Sequence, residues 1–235
     1  MQNNRITVIY DNRSSRGDLR PGWGFSALVE YGDVRLLFDT GGDKIVLEQN
    51  ARALGVDLKD KDYLFFSHEH CDHVGAASSA LHKDLIVVHP ASFSQGFKRK
   101  IEGAGATSLQ VTEPVEFSPG LFSTGELGTT IKEQSLIIST ARGPVLITGC
   151  AHPGIVQIAR AATDIAEESL RLVLGGFHLG ATPPDEVRKI GRELKALGAK
   201  QIGPCHCTGE GAIAILREMF GEDGLEVIAG TRIEL

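Results

Sequence analysis

The feature that most constrains this chain is the segment Ser67–His73, which holds three histidines and two carboxylates. It directly follows a short apolar run that predicts a buried strand. Side chains two residues apart in an extended segment point to the same side, so His68 and His70 can converge on one point. Asp72 and His73 come where the chain must turn, so they can reach a second point nearby. Neutral imidazole and carboxylate are ligands that suit Zn, Fe or Mn, and the segment therefore predicts a metal site.

Composition indicates a globular protein of ordinary hydrophobicity. The 235 residues are 42% hydrophobic and 23% charged, which fits a single domain over residues 1–235 with a sizeable core. The net charge of −6 disfavours non-specific binding to nucleic acid. No apolar run approaches the roughly 20 residues of a membrane span, and the N-terminus lacks a signal-peptide pattern. We therefore expect a cytoplasmic protein with no membrane partner.

The four cysteines lie close to histidines in the sequence. Cys71 is inside the histidine-rich segment, and Cys205 and Cys207 flank His206. This placement favours reduced thiols near a metal over a disulfide framework, and it agrees with a cytoplasmic location. We therefore predict that none of these cysteines, Cys150 included, is in a disulfide bond.

The pattern of strands and helices changes along the chain. Short β-like runs dominate the first half, and a glycine-containing hairpin signal lies at Gly32-Asp33. Strand and helix alternate in the second half. The principal predicted elements are strands at Arg5–Tyr10, Ser26–Tyr31, Val34–Phe38 and near Val227, and helices from Asp43 to Gly55, from Pro153 to Ala166, from Thr182 to Gly198 and from Gly211 to Phe220. The periodicity alone gives mixed α and β structure in layers.

Three further histidines are candidates for the site. His152, His178 and His206 each follow a predicted strand with glycine nearby, and glycine permits the tight turn that presents a ligand. We expect His152 and His206 to bind metal, whereas His178 stays open between ligand, proton donor and substrate contact. His82 is expected at the surface, and His89 is expected to cap the end of a strand.

The segment from His68 to His73 resembles the metal-binding signature of the metallo-β-lactamase superfamily. The resemblance implies an α+β fold, a four-layer αββα sandwich with two sheets face to face and helices outside. It also implies that His68 and His70 bind a first metal, that Asp72 and His73 bind a second, and that His206 is the last ligand.

Two positions depart from the superfamily pattern. Gly149-Cys150-Ala151-His152 stands where a Gly-Asp pair with a bridging aspartate is usual, so either Cys150 or His152 could fill that place. Glu126 could stand where the third histidine usually lies. These alternatives stay open from sequence.

A narrower resemblance comes from motifs that span nearly the whole chain. They are Asp39-Thr-Gly, the segment from Ser67 to Gly75, Gly-Cys-Ala-His-Pro-Gly-Ile from Gly149, Gly-Gly-Phe-His-Leu from Gly175, and Pro-Cys-His-Cys-Thr-Gly from Pro204. Together they are similar to the branch of 7,8-dihydropterin-6-methyl-4-(β-D-ribofuranosyl)aminobenzene-5'-phosphate synthase-like proteins. That branch is named for a pterin condensation step.

The resemblance implies a metal-dependent hydrolase or a pterin-condensing enzyme that acts on a small, phosphorylated or heterocyclic substrate through metal-activated water. One or two divalent ions are expected, zinc first and iron or manganese after it. Asp72 and His178 are the predicted catalytic residues. Asp39 is either a turn residue or the partner of a ligand imidazole. Trp23 and Phe177 could stack on a ring, although buried packing is the expected role of each.

Other function classes are weaker. A phosphodiesterase or nuclease of the RNA-processing type is disfavoured by the acidic charge and by the lack of a basic, glycine-rich arm. A redox diiron protein of this superfamily has glutamate at the place of His70 and a flavin domain, so the histidine at this position disfavours that class, and no flavin domain is expected. A non-catalytic ligand sensor on the same fold remains an alternative because the bridging position is altered. The substrate and the oligomeric state are left open.

Overall fold

A computed structural model describes residues 4–14 and 16–235 of the chain. Contacts divide the chain into two compact units, each with its own sheet and helices. The first unit extends to Val111 and includes the C-terminal segment Ile228–Leu235, and the second unit is Thr112–Val227.

The elements are numbered in chain order. The strands are β1 Arg5–Tyr10, β2 Ser26–Tyr31, β3 Val34–Phe38, β4 Tyr63–Phe65, β5 Ile86–Pro90, β6 Thr107–Val111, β7 Val115–Ser118, β8 Leu121–Ser123, β9 Leu136–Ile138, β10 Val145–Thr148, β11 Leu172–Gly176, β12 Gln201–Cys205 and β13 Arg232–Glu234. The α-helices are α1 Lys44–Leu54, α2 Cys71–Val74, α3 Ala77–Ala80, α4 Gln95–Gly103, α5 Ile155–Ala166, α6 Pro184–Ala196 and α7 Glu210–Phe220. Single 3₁₀ turns lie at His206–Thr208 and Gly221–Asp223.

The first unit contains a seven-stranded sheet in the order β13-β1-β2-β3-β4-β5-β6. The strands from β13 to β3 pair antiparallel, and the predicted Gly32-Asp33 hairpin joins β2 to β3. The strands from β3 to β6 pair parallel, so their carboxyl ends lie at one edge of the sheet. Asp39 directly follows β3, and the histidine-rich segment follows β4, the neighbouring strand. The sheet therefore brings residues that are far apart in sequence to the same edge.

Helix α1 shows how local sequence sets an element in this unit. Asp43 is its N-cap, and the Asp43 Oδ1 atom accepts hydrogen bonds from two backbone amides of the first turn. Gly55 ends the helix with φ 71°, a left-handed conformation that glycine adopts without a steric penalty. Leu47, Ala51 and Leu54 lie on the buried face and pack into the core of the unit. Both predicted ends of this helix are confirmed.

The second unit contains a six-stranded sheet in the order β12-β11-β10-β9-β8-β7. Its strands pair antiparallel from β7 to β10 and parallel from β10 to β12. After each parallel strand a non-glycine residue takes a left-handed conformation: Ala151 has φ 58°, His178 has φ 53° and His206 has φ 47°. This conformation is uncommon for such residues and is typical of functional sites. It turns the chain at or next to His152, His178 and His206, the three histidines that were candidates for the site.

One sequence prediction of local structure is wrong. There is no strand near Val227. The last strand is β13, and Val227 is buried by packing against Gly203 instead of by strand pairing. The small-residue stretch from Val74 to Leu81 contains the short helix α3. Among the residues that the structure describes, no helix is both long enough and apolar enough to cross a membrane.

Gly175, at the end of β11, allows a test of this strand-end geometry. It has φ 124°, and a Cβ atom there would collide with the carbonyl oxygen of Thr148 on β10. We expect Gly175→Ala to lower the free energy of unfolding by at least about 2 kcal/mol, because alanine is strained at this φ. Gly211→Ala is the matched control: it lies in α7 with open space around it, and we expect it to be neutral or stabilising by up to about 1 kcal/mol. Denaturant titration measures both. Equal stability of the two variants would contradict the described turn.

Candidate functional site

Three imidazole rings of the first unit lie against one another after β4. The ring centroids of His68 and His70 are 4.7 Å apart, and those of His68 and His73 are 4.2 Å apart. His68 and His73 are completely buried, whereas His70 is exposed. The ring of His68 therefore lies against those of both His70 and His73. That His68 and His70 bind one ion, and Asp72 and His73 a second, stays a prediction.

The buried carboxylate of Asp39 organises this cluster. Its Oδ1 atom accepts from the backbone N–H of Ser67 at 2.8 Å, and its Oδ2 atom accepts from the Ser67 hydroxyl at 2.7 Å. Its Oδ2 atom also lies 2.7 Å from Nδ1 of His73. Because a carboxylate only accepts, the proton of neutral His73 lies on Nδ1. Asp39 is therefore the partner of an imidazole, and the alternative of a plain turn residue is wrong.

The effect of Asp39 extends to His68 through Ser67. The Ser67 Oγ atom lies 2.9 Å from Nδ1 of His68. The single hydroxyl hydrogen is directed to Asp39, so the hydroxyl oxygen accepts from Nδ1–H of His68. One buried acid therefore places the proton of both His68 and His73 on Nδ1 and leaves Nε2 as the atom that can bind a cation.

The turn that carries Asp72 and His73 is held by the strand-end loop after β3. The backbone N–H and the hydroxyl of Thr40 both donate to the carbonyl of His73, at 2.8 and 3.0 Å. A Cβ atom at Gly75 would collide with the carbonyl oxygen of Gly42, so the two segments lie in close contact. The Asp72 carboxylate is half-buried, with its Oδ2 atom 3.8 Å from Nε2 of His73. Asp72 is therefore placed next to Nε2 of His73.

In the second unit, the buried carboxylate of Glu133 organises the segment after β10. Its Oε1 atom accepts from the backbone N–H groups of Cys150 and Ala151, at 2.9 and 2.8 Å. Its Oε2 atom accepts from the backbone N–H of His152 at 2.9 Å and lies 2.9 Å from Nδ1 of the same residue. The proton of neutral His152 therefore lies on Nδ1, and Nε2 can bind a cation.

Two thiol sulfur atoms and an imidazole nitrogen also lie close together in the second unit. The sulfur atoms of Cys150 and Cys207 and an imidazole nitrogen of His178 all lie within 4.8 Å of one another. Gly176 makes room for this group, because a Cβ atom there would lie 2.6 Å from the sulfur of Cys207. All four cysteines of the chain are thiols, as predicted, and only Cys71 is exposed. Of the two candidates for an altered ligand, Cys150 lies among side chains that could hold a metal ion, whereas the Glu126 carboxylate lies 4.0 Å from the ammonium of Lys132.

A cavity of about 490 Å³ opens beside two histidines of the second unit. The rings of His152 and His178 are 4.7 Å apart, and both line this cavity and a more apolar one of about 280 Å³. The larger cavity is also lined by the loop 128–131 and by Pro153 and Gln157. His206 is buried in the turn after β12. Each of the three strand-end histidines therefore lies where the sequence placed it, and His178 is the exposed member.

The burial of Trp23, Phe177 and His89 can be compared with the environment predicted for each. Trp23 is 64% exposed, so its expected buried packing is wrong, whereas Phe177 is buried as predicted. His89 is buried at the end of β5, with Nδ1 against the carbonyl of Pro90 and Nε2 against the Ser108 hydroxyl. Burial lowers the pKa of His89 and keeps it neutral. His89 thus has a structural role, as expected.

Comparison with known proteins decides the family. The family model of the metallo-beta-lactamase superfamily matches residues 19–206. This chain belongs to the metallo-beta-lactamase superfamily. The predicted superfamily and its fold class are thereby confirmed.

Two relatives support the assignment over nearly the full chain. The 7,8-dihydropterin-6-methyl-4-(beta-D-ribofuranosyl)-aminobenzene-5'-phosphate synthase of Methanocaldococcus jannaschii is 28% identical over 90% of this chain and 89% of its own length. The crystal structure of Tm1679, a metal-dependent hydrolase of the beta-lactamase superfamily, is 30% identical with a TM-score of 0.83 and covers 99% of both chains. The metallo-beta-lactamase fold protein YhfI from Bacillus subtilis is 16% identical, with a TM-score of 0.70 over 98% of this chain and 99% of its own. At this identity it supports the fold alone. The resemblance to the synthase-like branch is confirmed.

The superfamily typically binds divalent metals, and the donor groups of this member fit such ions. In each unit a buried carboxylate directs the Nδ1 proton of a histidine toward itself, which is the arrangement that orients histidine ligands in metal sites. The thiols of Cys150 and Cys207 add donors that suit zinc better than manganese.

Exchange of Asp39 for asparagine tests the role of the carboxylate in the first unit. In Asp39→Asn the amide nitrogen would donate where the carboxylate accepts, so His73 would carry its proton on Nε2 and lose its ligand atom. We expect metal affinity to fall about 10–100-fold, the usual effect of removing such a partner. Asp33→Asn, an exposed aspartate of the same unit, is the control and should bind metal as the wild type does. Competition with a chromogenic chelator measures the affinity, and an unchanged Asp39→Asn variant would contradict this assignment.

Proposed function

We propose that this protein is a metal-dependent hydrolase that acts on a small, phosphorylated or heterocyclic substrate. The observation that carries the proposal is the shared state of His68, His73 and His152. Each has its Nδ1 atom engaged by a neighbouring oxygen, so that Nε2 can bind a cation. The structural relative Tm1679, itself a metal-dependent hydrolase, supports the same reaction class.

The proposed metal ligands are His68, His70, Asp72 and His73 from the first unit and His152 and His206 from the second. We propose one or two divalent ions, with zinc as the natural metal because imidazole, carboxylate and thiol donors are all present. When bound, such an ion supplies a Lewis acid that polarises a carbonyl or phosphoryl oxygen and lowers the pKa of water.

Two residues of the chain are proposed to move protons. Asp72 is half-buried beside His73, so its carboxylate can accept a proton from water and pass it on. His178 is exposed and lines both cavities of the second unit, so its imidazole can reach a substrate. An imidazole titrates near neutral pH, which suits proton exchange with a leaving group.

The size and lining of the larger cavity support a small substrate. Its volume of about 490 Å³ falls within the range of ordinary ligand pockets. Hydroxyls of Thr129 and Thr130 and the amide of Gln157 offer hydrogen bonds at one side, and the second, apolar cavity includes Phe177 and Ile190 at its wall. A substrate with a polar group and a flat apolar ring fits this pair of surfaces.

A pterin-condensing enzyme is the second candidate, and the similarity to the Methanocaldococcus jannaschii synthase favours it. A nuclease of the RNA-processing type remains less favoured because the net charge is −6. A ligand sensor without catalysis would retain the fold and show no turnover. We place the protein in the cytoplasm, which the four thiols support.

Two variants test the division of roles between neighbouring histidines. We expect His152→Ala to lower bound metal, because it removes a ligand nitrogen. We expect His178→Ala to keep the metal and to lower kcat about 10²–10⁴-fold, the usual effect of losing an acid or base. Metal analysis and turnover of phosphoesters, lactones, thioesters and pterins measure these effects.

His82→Ala is the control for both variants, because His82 lies beside Lys83, outside the proposed ligand set. Full metal content in His152→Ala would contradict its assignment as a ligand. If His178→Ala alone lost the metal, His178 would be the ligand and His152 the residue that exchanges a proton with the substrate.

A further inference from the structure

Glu133 is a completely buried acid whose role the sequence does not reveal. It lies three residues before β9, and no motif marks it. Both carboxylate oxygens are engaged by one segment, the residues from Cys150 to His152. A buried ionised carboxylate is costly unless it is fully hydrogen-bonded, and these four contacts meet that requirement.

The backbone of residues 150–152, which contacts the Glu133 carboxylate, forms an anion-binding site. Three consecutive backbone N–H groups point at the carboxylate, and Ala151 takes a left-handed φ of 58° between its neighbours. Successive amides in such a turn form a concave site that binds anions. Glu133 occupies this concavity with its own side chain, so the conformation of the turn depends on the acid.

We propose that Glu133 is the positioning residue of His152: its carboxylate fixes the turn after β10 and holds the Nδ1 proton so that Nε2 can bind the metal. This inference rests on the proposed function only in taking His152 as a metal ligand. Glu133 does not bind the metal itself, because both oxygens already accept from the turn.

The same residue also links the histidine to the wall of the larger cavity. Glu133 and Leu127 exchange two backbone hydrogen bonds, at 2.8 and 3.0 Å, and so close the loop 128–132. Residues 128–131 of that loop line the cavity beside His152. A single acid thus fixes a ligand histidine by its side chain and the adjoining cavity wall by its backbone.

Metal affinity of Glu133 variants tests the proposal. A glutamine has only one acceptor oxygen for four donors, so we expect Glu133→Gln to lower zinc affinity about 10–100-fold. Glu186→Gln is the control, because Glu186 is an exposed glutamate of the same unit that pairs with Lys189. It should bind zinc as the wild type does. His152→Ala is measured alongside and should lose at least as much affinity as Glu133→Gln.

Rescue by a small carboxylate separates positioning from general stabilisation. In Glu133→Ala the anion site is left open, so added sodium acetate should restore part of the lost zinc affinity relative to sodium chloride at equal ionic strength. Acetate should not rescue His152→Ala, which still has the acid but lacks the imidazole. Circular dichroism verifies that each variant is folded, and Glu133→Gln provides the test if Glu133→Ala does not fold.

The outcomes distinguish this inference from the proposed function. If His152→Ala loses zinc affinity while Glu133→Gln does not, the positioning role is wrong and the metal assignment stands. Equal losses in Glu133→Gln and Glu186→Gln would also overturn the role of Glu133. If His152→Ala binds zinc as tightly as the wild type, both the proposed metal ligand and this inference fail.

Discussion

The hydrogen bond between a buried carboxylate and a histidine Nδ1 atom is the interaction on which the candidate site depends. Asp39 makes it with His73 in the first unit, and Glu133 makes it with His152 in the second. Each acid also accepts from backbone amides, so the fold around it fixes its position. Removing such an acid would leave donors unpaired in a buried environment and release the imidazole it orients.

The ends of the parallel strands are the second feature on which the candidate site depends. In each unit the parallel strands end at one edge of the sheet. The candidate ligand and catalytic side chains follow those strand ends. In the second unit the turns use left-handed conformations at Ala151, His178 and His206, which cost energy for residues with a Cβ atom. Such a conformation persists only where the surrounding structure holds the turn in place. The core and the hydrogen bonds of the turn offset its cost.

Sequence predicted the elements whose signals are local. Asp43 and Gly55 mark the ends of α1 because caps act within one turn, and the histidine-rich segment follows a strand because apolar periodicity changes there. Glu133 could not be found in this way, because its importance arises from contacts with residues 17 to 19 positions later in the chain. Val227 gave a false strand signal, since burial by packing and burial by strand pairing select the same apolar residues. The final ligand set likewise depends on contacts that a pattern of residue types does not specify.

The protonation state of His73 and His152 in the metal-free protein tests the account most directly. Long-range correlation of ¹⁵N and ¹H in labelled histidine rings distinguishes a proton on Nδ1 from one on Nε2. We predict Nδ1–H for both residues at neutral pH, with the Nδ1–H signal of His152 lost in Glu133→Gln and that of His73 retained. Nε2–H in either residue of the wild-type protein would contradict it, because the nitrogen assigned to the metal would then carry the proton.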